Sequence, residues 1–442
     1  MQNMKQVTEV YPLLQRLMVY RNLLNDPVIS KTKELTAFLQ NPQQVAKSEL
    51  ESCYCSIWYD ILQKAKTFVL DLDPWRNYIL NLILEDENVF SLACEKGETQ
   101  PGSPIWNLAI HDLSILRDLY NLNWQAVAQY VGTDASCWLT SNWQPRPAEH
   151  PWARMRASMM TRIHQLFTDC SDITTAVEAL AEFYLKVGCG QMGKYAAFRW
   201  NQGLQGIDTP DPIDLDDLVG YEEQKEILIR NTEAFVKGNR ANNVLLYGEK
   251  GTGKSSSVKA LLNRYAASGL RMLELAKSDL AHLSSIVHTI RERGFRFVIF
   301  IDDLSFEDFE IEYKHVKASI EGSLEATPDN VLLYVTSNRR HLVKETWRDR
   351  QSLDEEVHVS DSHQEKLSLV DRFGITIHYP TPSQEQYLSI VQQLAQRSGL
   401  ELPADNLKRT AIEWEMKYHG RSGRTAQQFI TYLSSLTSVS SP

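Results

Sequence analysis

Long apolar runs are missing from this chain, and so are cysteine pairs at metal-binding spacing. No stretch approaches the roughly 18 consecutive apolar residues of a membrane span, and the first residues hold no basic stretch followed by an apolar run. We therefore expect no membrane span and a protein of the cytoplasm or an organelle stroma. The six cysteines all precede residue 200 without a C-x-x-C pair, which predicts buried free thiols rather than a zinc or redox site.

A dominant charge of one sign is also missing. The net charge of -10 is spread over both halves of a chain of 442 residues, which excludes a domain that binds polyanions through its bulk charge. Apolar residues, by contrast, are plentiful, since 43% of the chain is hydrophobic. At this length, that content predicts a folded protein with about two or three domains.

The pattern of apolar residues divides the chain into two parts. In residues 1–200, apolar positions recur at spacings of three and four, for example over 10–24, 57–69 and 176–187, which predicts a mostly α-helical N-terminal domain. A polar stretch with proline and aspartate, GIDTPDPIDLDD, follows, and we interpret residues 201–217 as a linker.

Beyond the linker, short β-branched runs alternate with helical stretches. The runs are NVLLY, RMLELA, RFVIFI, VLLYVT and ITIHY. This alternation predicts an α/β domain over 218–380, an αβα sandwich around a parallel five-stranded sheet. Residues 381–442 carry no further strand and predict a small helical lid domain, with a helix start at Thr381, Pro382 and Gln384.

A phosphate-binding loop lies between the first of these strands and the helix that follows it. The segment GEKGTGKS matches the pattern G-x-x-x-x-G-K-[ST]. Its glycines allow backbone N–H groups to face phosphates at the positive end of the helix, Lys254 is expected to reach the β- and γ-phosphates, and the Ser255 hydroxyl is expected to bind Mg²⁺. The predicted nucleotide-binding residues here are Gly248, Glu249, Lys250, Gly251, Thr252, Gly253, Lys254, Ser255 and Ser256.

Two acidic residues end the buried run RFVIFIDDL. They lie at the carboxyl end of a central strand, where open α/β sheets bind their ligands. We predict that Asp302 is the carboxylate on the Mg²⁺ side and that Asp303 orients or deprotonates the attacking water. Glu307 is a second candidate for the base, with a solvated carboxylate at a helix start as the alternative.

With these motifs in order, the region from about Leu215 to Leu436 resembles the AAA+ superfamily of P-loop ATPases. In VLLYVTSN, Ser337 and Asn338 end a strand and are similar to sensor 1 of that superfamily, which implies a catalytic role for Asn338 beside the γ-phosphate. Many related ATPases carry glutamate where this chain has Asp303, so the resemblance implies that hydrolysis is slow if the shorter side chain lies too far back.

The resemblance also implies two functional arginines. LVDRFGITIHY is similar to the segment that supplies an arginine finger to a neighbouring subunit, and this assigns the finger to Arg372, with Arg339 and Arg340 as rivals. GRSGRTAQQFI is similar to sensor 2, in which an arginine at the start of a lid helix contacts the nucleotide. Arg424 is the first choice for that role and Arg421 the second.

A weaker likeness concerns the base of the nucleotide. DLVGYEEQK resembles the segment whose backbone packs on adenine, which implies this role for Val219, Gly220 and Tyr221. The whole string from FRWNQGL to TSNRRHLV looks most like one family of AAA+-type ATPases known only as a domain of unknown function. That family implies an ATPase core with ATP and Mg²⁺, and no particular substrate.

Three hypotheses for the function stay open. The first is an oligomeric ATPase, a ring or partial ring, that remodels or loads a protein or nucleic-acid partner held by the N-terminal domain. Trp138, Trp143 and Trp152 alternate there with arginines, which favours either a core or a binding surface. The second is a nucleotide-gated switch with slow turnover, and the third is a P-loop kinase for a small molecule.

Overall fold

The structure of the chain, a computed structural model, divides into two compact units. The first unit is Met1–Tyr195 with Arg293–Phe295, and the second is Ala196–Glu292 with Arg296–Pro442. The residues that the structure describes are Val10, 12–40, 46–133, 150–169, 172–305, Val316, 328–339, Leu342, Val370, 372–400, 402–418 and 420–439.

The first unit is built from α-helices, which confirms the mostly helical class predicted for the N-terminal region. Its helices are α1 Pro27–Gln40, α2 Lys47–Gln63, α3 Pro74–Glu85, α4 Val89–Glu95, α5 Pro104–Tyr120, α6 Trp124–Val131, α7 Pro151–Thr168, α8 Ile173–Lys186 and α9 Gly190–Lys194.

Local sequence explains where several of these helices begin. The Asp73 side chain accepts a hydrogen bond from the Arg76 N–H ahead of α3, and Asn88 and Ser91 form a reciprocal capping box at the start of α4.

Aromatic side chains fill the core of this helical unit. The rings of Trp58 and Trp75 pack edge-on against Trp124, with centroid distances of 5.2 and 4.8 Å. Such edge-to-face pairs add to the free energy gained by burying the rings. Several tryptophans of this region therefore pack in the core of the helical unit.

Part of the stretch in which tryptophans alternate with arginines also belongs to this core. Trp152 is buried, and the Nε atom of the buried Arg156 donates to the Gly193 carbonyl at 2.7 Å. Burial lowers the pKa of the Arg156 guanidinium. These two side chains are thus structural. Trp138 and Trp143 lie outside the described residues.

A buried ion pair joins the short segment Arg293–Phe295 to helix α4 within the first unit. The Nε and Nη2 atoms of Arg293 donate to the two carboxylate oxygens of Glu95, each at 2.7 Å. Glu95 is only 1% exposed, and it also accepts the Gly294 N–H at 3.1 Å. Arg293 further contacts Glu87 at 2.7 Å. The Glu95 carboxylate is therefore buried with a complete set of donors.

The second unit alternates strands and helices before it ends in a helical lid. Its strands are β1 Ala197–Trp200, β2 Leu204–Gly206, β3 Val244–Gly248, β4 Leu270–Glu274, β5 Arg296–Ile301, β6 Val331–Ser337 and β7 Ile375–Tyr379. Its helices are α10 Glu222–Val236, α11 Lys254–Tyr265, α12 Leu283–Arg291, α13 Gln384–Arg397, α14 Ala404–Lys417 and α15 Gly423–Val439.

The described strands of this unit form one sheet of order β2-β1-β4-β5-β6-β3-β7. The pairs among β3 to β7 are parallel, and these are the five strands predicted from the sequence. Every residue of β6 is buried, which shows that both faces of the sheet centre are covered. The α/β class is therefore confirmed.

Within the residues that the structure describes, the sheet has seven strands instead of the predicted five. The additional hairpin β1–β2 is antiparallel within itself, and β1 pairs in parallel with β4. β1 lies in the range predicted as helical, and β2 lies in the predicted linker 201–217. That stretch thus forms part of the second compact unit.

The lid consists of the last three helices, α13, α14 and α15, packed around their own apolar core. Tyr387, Val391, Ala411 and Phe429 are among its buried residues. The first lid helix begins two residues later than the predicted first position, because Ser383 and not Thr381 forms the capping box that starts it at Gln384.

Candidate nucleotide-binding site

The loop between β3 and α11 has the backbone geometry that its glycines permit. Gly248, Gly251 and Gly253 have φ angles of 142°, 76° and 93°, which residues with a Cβ rarely adopt. A Cβ at Gly248 would lie 2.0 Å from the carbonyl oxygen of Tyr379 on β7. Gly253 is the N-cap of α11, so the loop ends at the positive end of that helix.

Lys254, the first residue of α11, is held against the loop. Its Nζ atom donates to the carbonyl oxygens of Gly248 at 2.9 Å and Glu249 at 2.7 Å, and to Oδ1 of Asn338 at 3.3 Å. Burial lowers the pKa of the ammonium group, while Asp303 and Asp302 act to raise it. A phosphate beside Nζ would act in the same direction as these carboxylates and raise the pKa.

Asp302 follows β5 directly and receives two hydroxyl donors. Ser255 Oγ and Thr336 Oγ1 each donate to its Oδ1 atom at 2.5 Å. The Ser255 hydroxyl and the Asp302 carboxylate are oxygen ligands of the kind that Mg²⁺ prefers. The residue types and their contact thus fit a magnesium ion bound between the phosphate loop and β5.

Asp303 adopts an uncommon backbone conformation, with a φ of 49°. In a regular strand, consecutive side chains point to opposite faces, so Asp302 and Asp303 would diverge. Here the Asp303 N–H donates to Thr336 Oγ1 at 2.9 Å, and the Asn338 amide donates to the Asp303 carboxylate. The left-handed turn thus brings the second carboxylate to Asn338, which also contacts Lys254.

Of the two residues similar to sensor 1, only one lines the cavity. Asn338 lies beside Asp303 and Lys254, whereas Ser337 is fully buried and donates to the Leu304 carbonyl at 2.7 Å. Thr336, which the sequence analysis missed, points to Asp302 instead. The signal was available, because alternation along β6 places Thr336 and Asn338 on the same face.

The lid contributes Arg424 to the same site. The backbone N–H of Arg424 donates to the Gly251 carbonyl at 3.3 Å. Ser422, just before α15, also lies close to the loop: a Cβ added to Gly251 would lie 2.9 Å from the Ser422 Oγ atom. Arg421 is paired with Glu415 at 2.5 Å. Arg424 lines the cavity described next, and Arg421 does not.

A cavity of about 880 Å³ connects the phosphate loop, the acidic residues and the lid. Pockets for cofactors and small ligands typically measure about 300–1,000 Å³. The residues that were predicted from the sequence and line it are Val219, Gly220, Tyr221, Lys250, Gly251, Thr252, Gly253, Lys254, Ser255, Ser256, Asp302, Asp303, Asn338 and Arg424. Gly248 and Glu249 take part through the carbonyl groups that hold Lys254.

Other segments of the second unit, which the sequence did not predict, also line the cavity. Ile390 and Leu394 come from the first lid helix, and residues 211–213 come from the predicted linker. Arg397, at the end of that helix, donates to Asp217 at 2.9 Å across the cavity wall. The Lys225 side chain donates to the Leu218 carbonyl at 2.7 Å and anchors the segment predicted to contact adenine.

Two of the three candidates for an arginine finger do not line this cavity. Arg372 and Arg339 are not among the lining residues; Arg372 precedes β7 and Arg339 follows β6. Arg340 and Glu307, the rival finger and the second candidate base, lie outside the described residues. The assignments of finger and base stay predictions.

The described part of the chain bears on two predictions from the sequence, one about membrane spans and one about the cysteines. No helix there is both long enough and apolar enough to cross a membrane. Four cysteines are described as free thiols, of which Cys94 and Cys189 are buried, Cys53 is half-buried and Cys55 is exposed. Burial raises the pKa of the Cys94 thiol to about 12. The prediction of buried thiols is therefore wrong for Cys55.

The phosphate loop, the paired acidic residues and the helical lid define a P-loop nucleotide-binding protein with the AAA+-type fold. A family model matches residues 193–437, more than half of the chain. The chain belongs to that family, which is described as a protein of unknown function, DUF815.

Three individual proteins each resemble part of the chain. The replication factor C large subunit of Methanococcus vannielii is 32% identical over 105 residues, which are 22% of this chain and 21% of that protein. The RuvB Holliday junction branch migration motor of Thermotoga maritima aligns at 19% identity and a TM-score of 0.37 over 52% of this chain and 66% of its own. The FIGL-1 AAA domain in complex with ADP aligns at 21% identity and a TM-score of 0.35 over 50% and 72%. The chain thus spans about a fifth of the length of the replication factor that it matches.

Proposed function

We propose that this chain binds ATP with Mg²⁺ in the cavity above the phosphate loop and hydrolyses it, and that it uses the hydrolysis to remodel or load a partner. The observation that carries this proposal is the convergence of Lys254, Ser255 and Asp302 with Asp303 and Asn338 at the ends of three neighbouring strands. These are the groups that phosphoryl transfer to water needs: a cation, ligands for magnesium and a carboxylate to orient the nucleophile.

Each residue has a distinct task in this proposal. The backbone N–H groups of the loop and the Lys254 ammonium bind the phosphates, and Ser255 and Asp302 hold the magnesium ion. When bound, Mg²⁺ supplies positive charge to the β- and γ-phosphate oxygens. Asp303 orients or deprotonates the attacking water, and Asn338 keeps that carboxylate in place through its amide group.

We further propose that the active form is an oligomer, a ring or partial ring. Arg372 would act on the nucleotide of a neighbouring subunit, a role for which it does not need to line the cavity of its own chain. The partial likeness to a replication factor subunit supports assembly and makes nucleic acid one of the partners to test, beside protein. The N-terminal unit is proposed to hold the partner.

The test is steady-state phosphate release from Mg-ATP as a function of protein concentration. Activity per subunit is expected to rise with concentration and to saturate, because a neighbour completes the site. Lys254→Ala should abolish nucleotide binding or turnover, whereas Arg372→Ala should spare binding and remove turnover. Arg240→Ala, which changes an exposed arginine outside the cavity, is the matched control. Normal hydrolysis by either of the first two variants would contradict the assignment.

A second candidate function is a nucleotide-gated switch with very slow turnover. It is favoured by the Asp303 carboxylate, which already accepts the Asn338 amide and is therefore partly occupied. On this hypothesis, ATP orders the lid through Arg424 and changes the affinity for a partner. Tight ATP binding with near-zero phosphate release at every protein concentration, and no difference between wild type and Asp303→Asn, would favour the switch.

A further inference from the structure

Thr336 occupies a position between the two acidic residues of the site. It is the sixth residue of β6, it is 1% exposed, and it lines the cavity. Its hydroxyl donates to Oδ1 of Asp302 at 2.5 Å and accepts the backbone N–H of Asp303 at 2.9 Å. The Thr336 side chain therefore contacts both acidic residues: it bonds to the side chain of Asp302 and to the backbone of Asp303.

The hydroxyl group suits this position because it can donate and accept at once. Thr336 and Ser255 donate to the same oxygen of Asp302, and two directional bonds to one oxygen restrict the rotation of the carboxylate. Thr336 itself is 1% exposed, whereas Asp302 and Asp303 are exposed, so water reaches the two acidic residues more easily than the Thr336 hydroxyl. Loss of the hydroxyl would leave the Asp303 N–H without this acceptor.

The same residue also anchors the turn at Asp303. The Leu304 N–H donates to the Thr336 carbonyl at 2.8 Å, so the backbone before and after the turn is tied to β6. A left-handed conformation is unfavourable for most residues with a Cβ, and it persists where the surroundings hold it. The contacts of Thr336 thus favour the conformation in which Asp303 reaches Asn338.

We propose that Thr336 is a positioning residue for magnesium and water: it orients Asp302 toward the metal and fixes the turn that presents Asp303. The inference rests on the proposed function, since it assigns a role within the same site. It predicts that the hydroxyl matters for the effect of the metal on nucleotide binding and that the methyl group of Thr336 does not.

The experiment measures the binding of a fluorescent ATP analogue in EDTA and in Mg²⁺, with Mn²⁺ as a second metal. In EDTA, Thr336→Val should bind the analogue as tightly as the wild type does. With metal, its affinity should be about ten- to a hundred-fold lower than that of the wild type, which is the usual cost of removing a hydrogen bond to a metal ligand. Thr336→Ser keeps the hydroxyl and should retain most of the gain. Thr232→Val removes a hydroxyl that is also buried, on helix α10, and is the matched control.

Each outcome distinguishes this inference from the proposed function. If the wild type binds no analogue under either condition, the proposed function fails and the inference fails with it. If the wild type gains affinity with metal and Thr336→Val gains as much, only the inference is overturned. It is overturned as well if Thr336→Ser loses as much as Thr336→Val, because packing would then explain the effect. Should the valine variant not fold, Thr336→Ala compared with Thr336→Ser isolates the hydroxyl in the same way.

Discussion

Replacing Arg293 with alanine is expected to destabilise the first compact unit by about 3–5 kcal/mol. The guanidinium makes two bonds of 2.7 Å to Glu95, a residue that is 1% exposed, and the Arg293 side chain itself is 13% exposed. Alanine would leave a buried carboxylate whose charge is no longer compensated. The remaining donors, such as the Gly294 N–H, are neutral and replace only part of the lost interaction.

Thermal unfolding followed by tryptophan fluorescence measures this effect, since several tryptophans are buried in the first unit. For a unit of this size the expected loss lowers the midpoint by on the order of 10 °C. Arg162→Ala is the matched control, because Arg162 pairs with Glu182 at 2.8 Å in the same unit while its side chain is 57% exposed. An exposed pair contributes at most about 1 kcal/mol, so the control should shift the midpoint little.

A double variant separates the charge from the packing. Glu95→Leu combined with Arg293→Met removes both charges and keeps apolar volume, and it should recover much of the stability that Arg293→Ala loses. The reasoning is refuted if Arg293→Ala unfolds within about 1 kcal/mol of the Arg162→Ala control, or if the double variant is no more stable than the single one.

Two further predictions concern the second unit. Gly248→Ala should lower the free energy of unfolding by about 2–6 kcal/mol, because the backbone is strained at a φ of 142° and the new Cβ would lie 2.0 Å from the Tyr379 carbonyl oxygen. Thermal unfolding measures the loss, and Gly203→Ala, whose Cβ would meet nothing within 4 Å, should show no comparable loss. Arg397→Ala should speed dissociation of a fluorescent ATP analogue about two- to five-fold at low salt. The effect is small because the ion pair that Arg397 forms with Asp217 is half-exposed. Stopped-flow measurement should show the difference shrinking at high salt, and an equal effect at both salt concentrations would contradict the electrostatic explanation.

The parallel strands of the sheet were predictable because each is a short buried run beside a helical stretch. The hairpin β1–β2 was not, and its residues explain why. Ala197–Trp200 and Leu204–Gly206 are too short to show a period of two, and β1 becomes a strand by pairing with β4. Pairing between distant segments depends on the tertiary fold, which local pattern does not report.

The site shows the same division between local and distant signals. Lys254, Ser255 and Asp302 lie in contiguous motifs, and the sequence assigns them directly. The Thr336 hydroxyl contacts Asp302 and the Asp303 N–H, which precede it by 34 and 33 positions, and Arg397 contacts Asp217, 180 positions away. Neither contact has a motif of its own, although the alternation of β6 could have identified Thr336.

The conformation of Asp303 bears on the choice between hydrolysis and a switch. From the sequence, aspartate in place of glutamate suggests a carboxylate that lies too far back and a slow enzyme. In the structure, the position of this carboxylate is set by the left-handed turn at φ 49° as well as by side-chain length. Aspartate tolerates that conformation better than most residues do, because its short side chain can hydrogen-bond locally. A short side chain on a turned backbone reaches Asn338, so the shorter residue alone does not imply slow turnover.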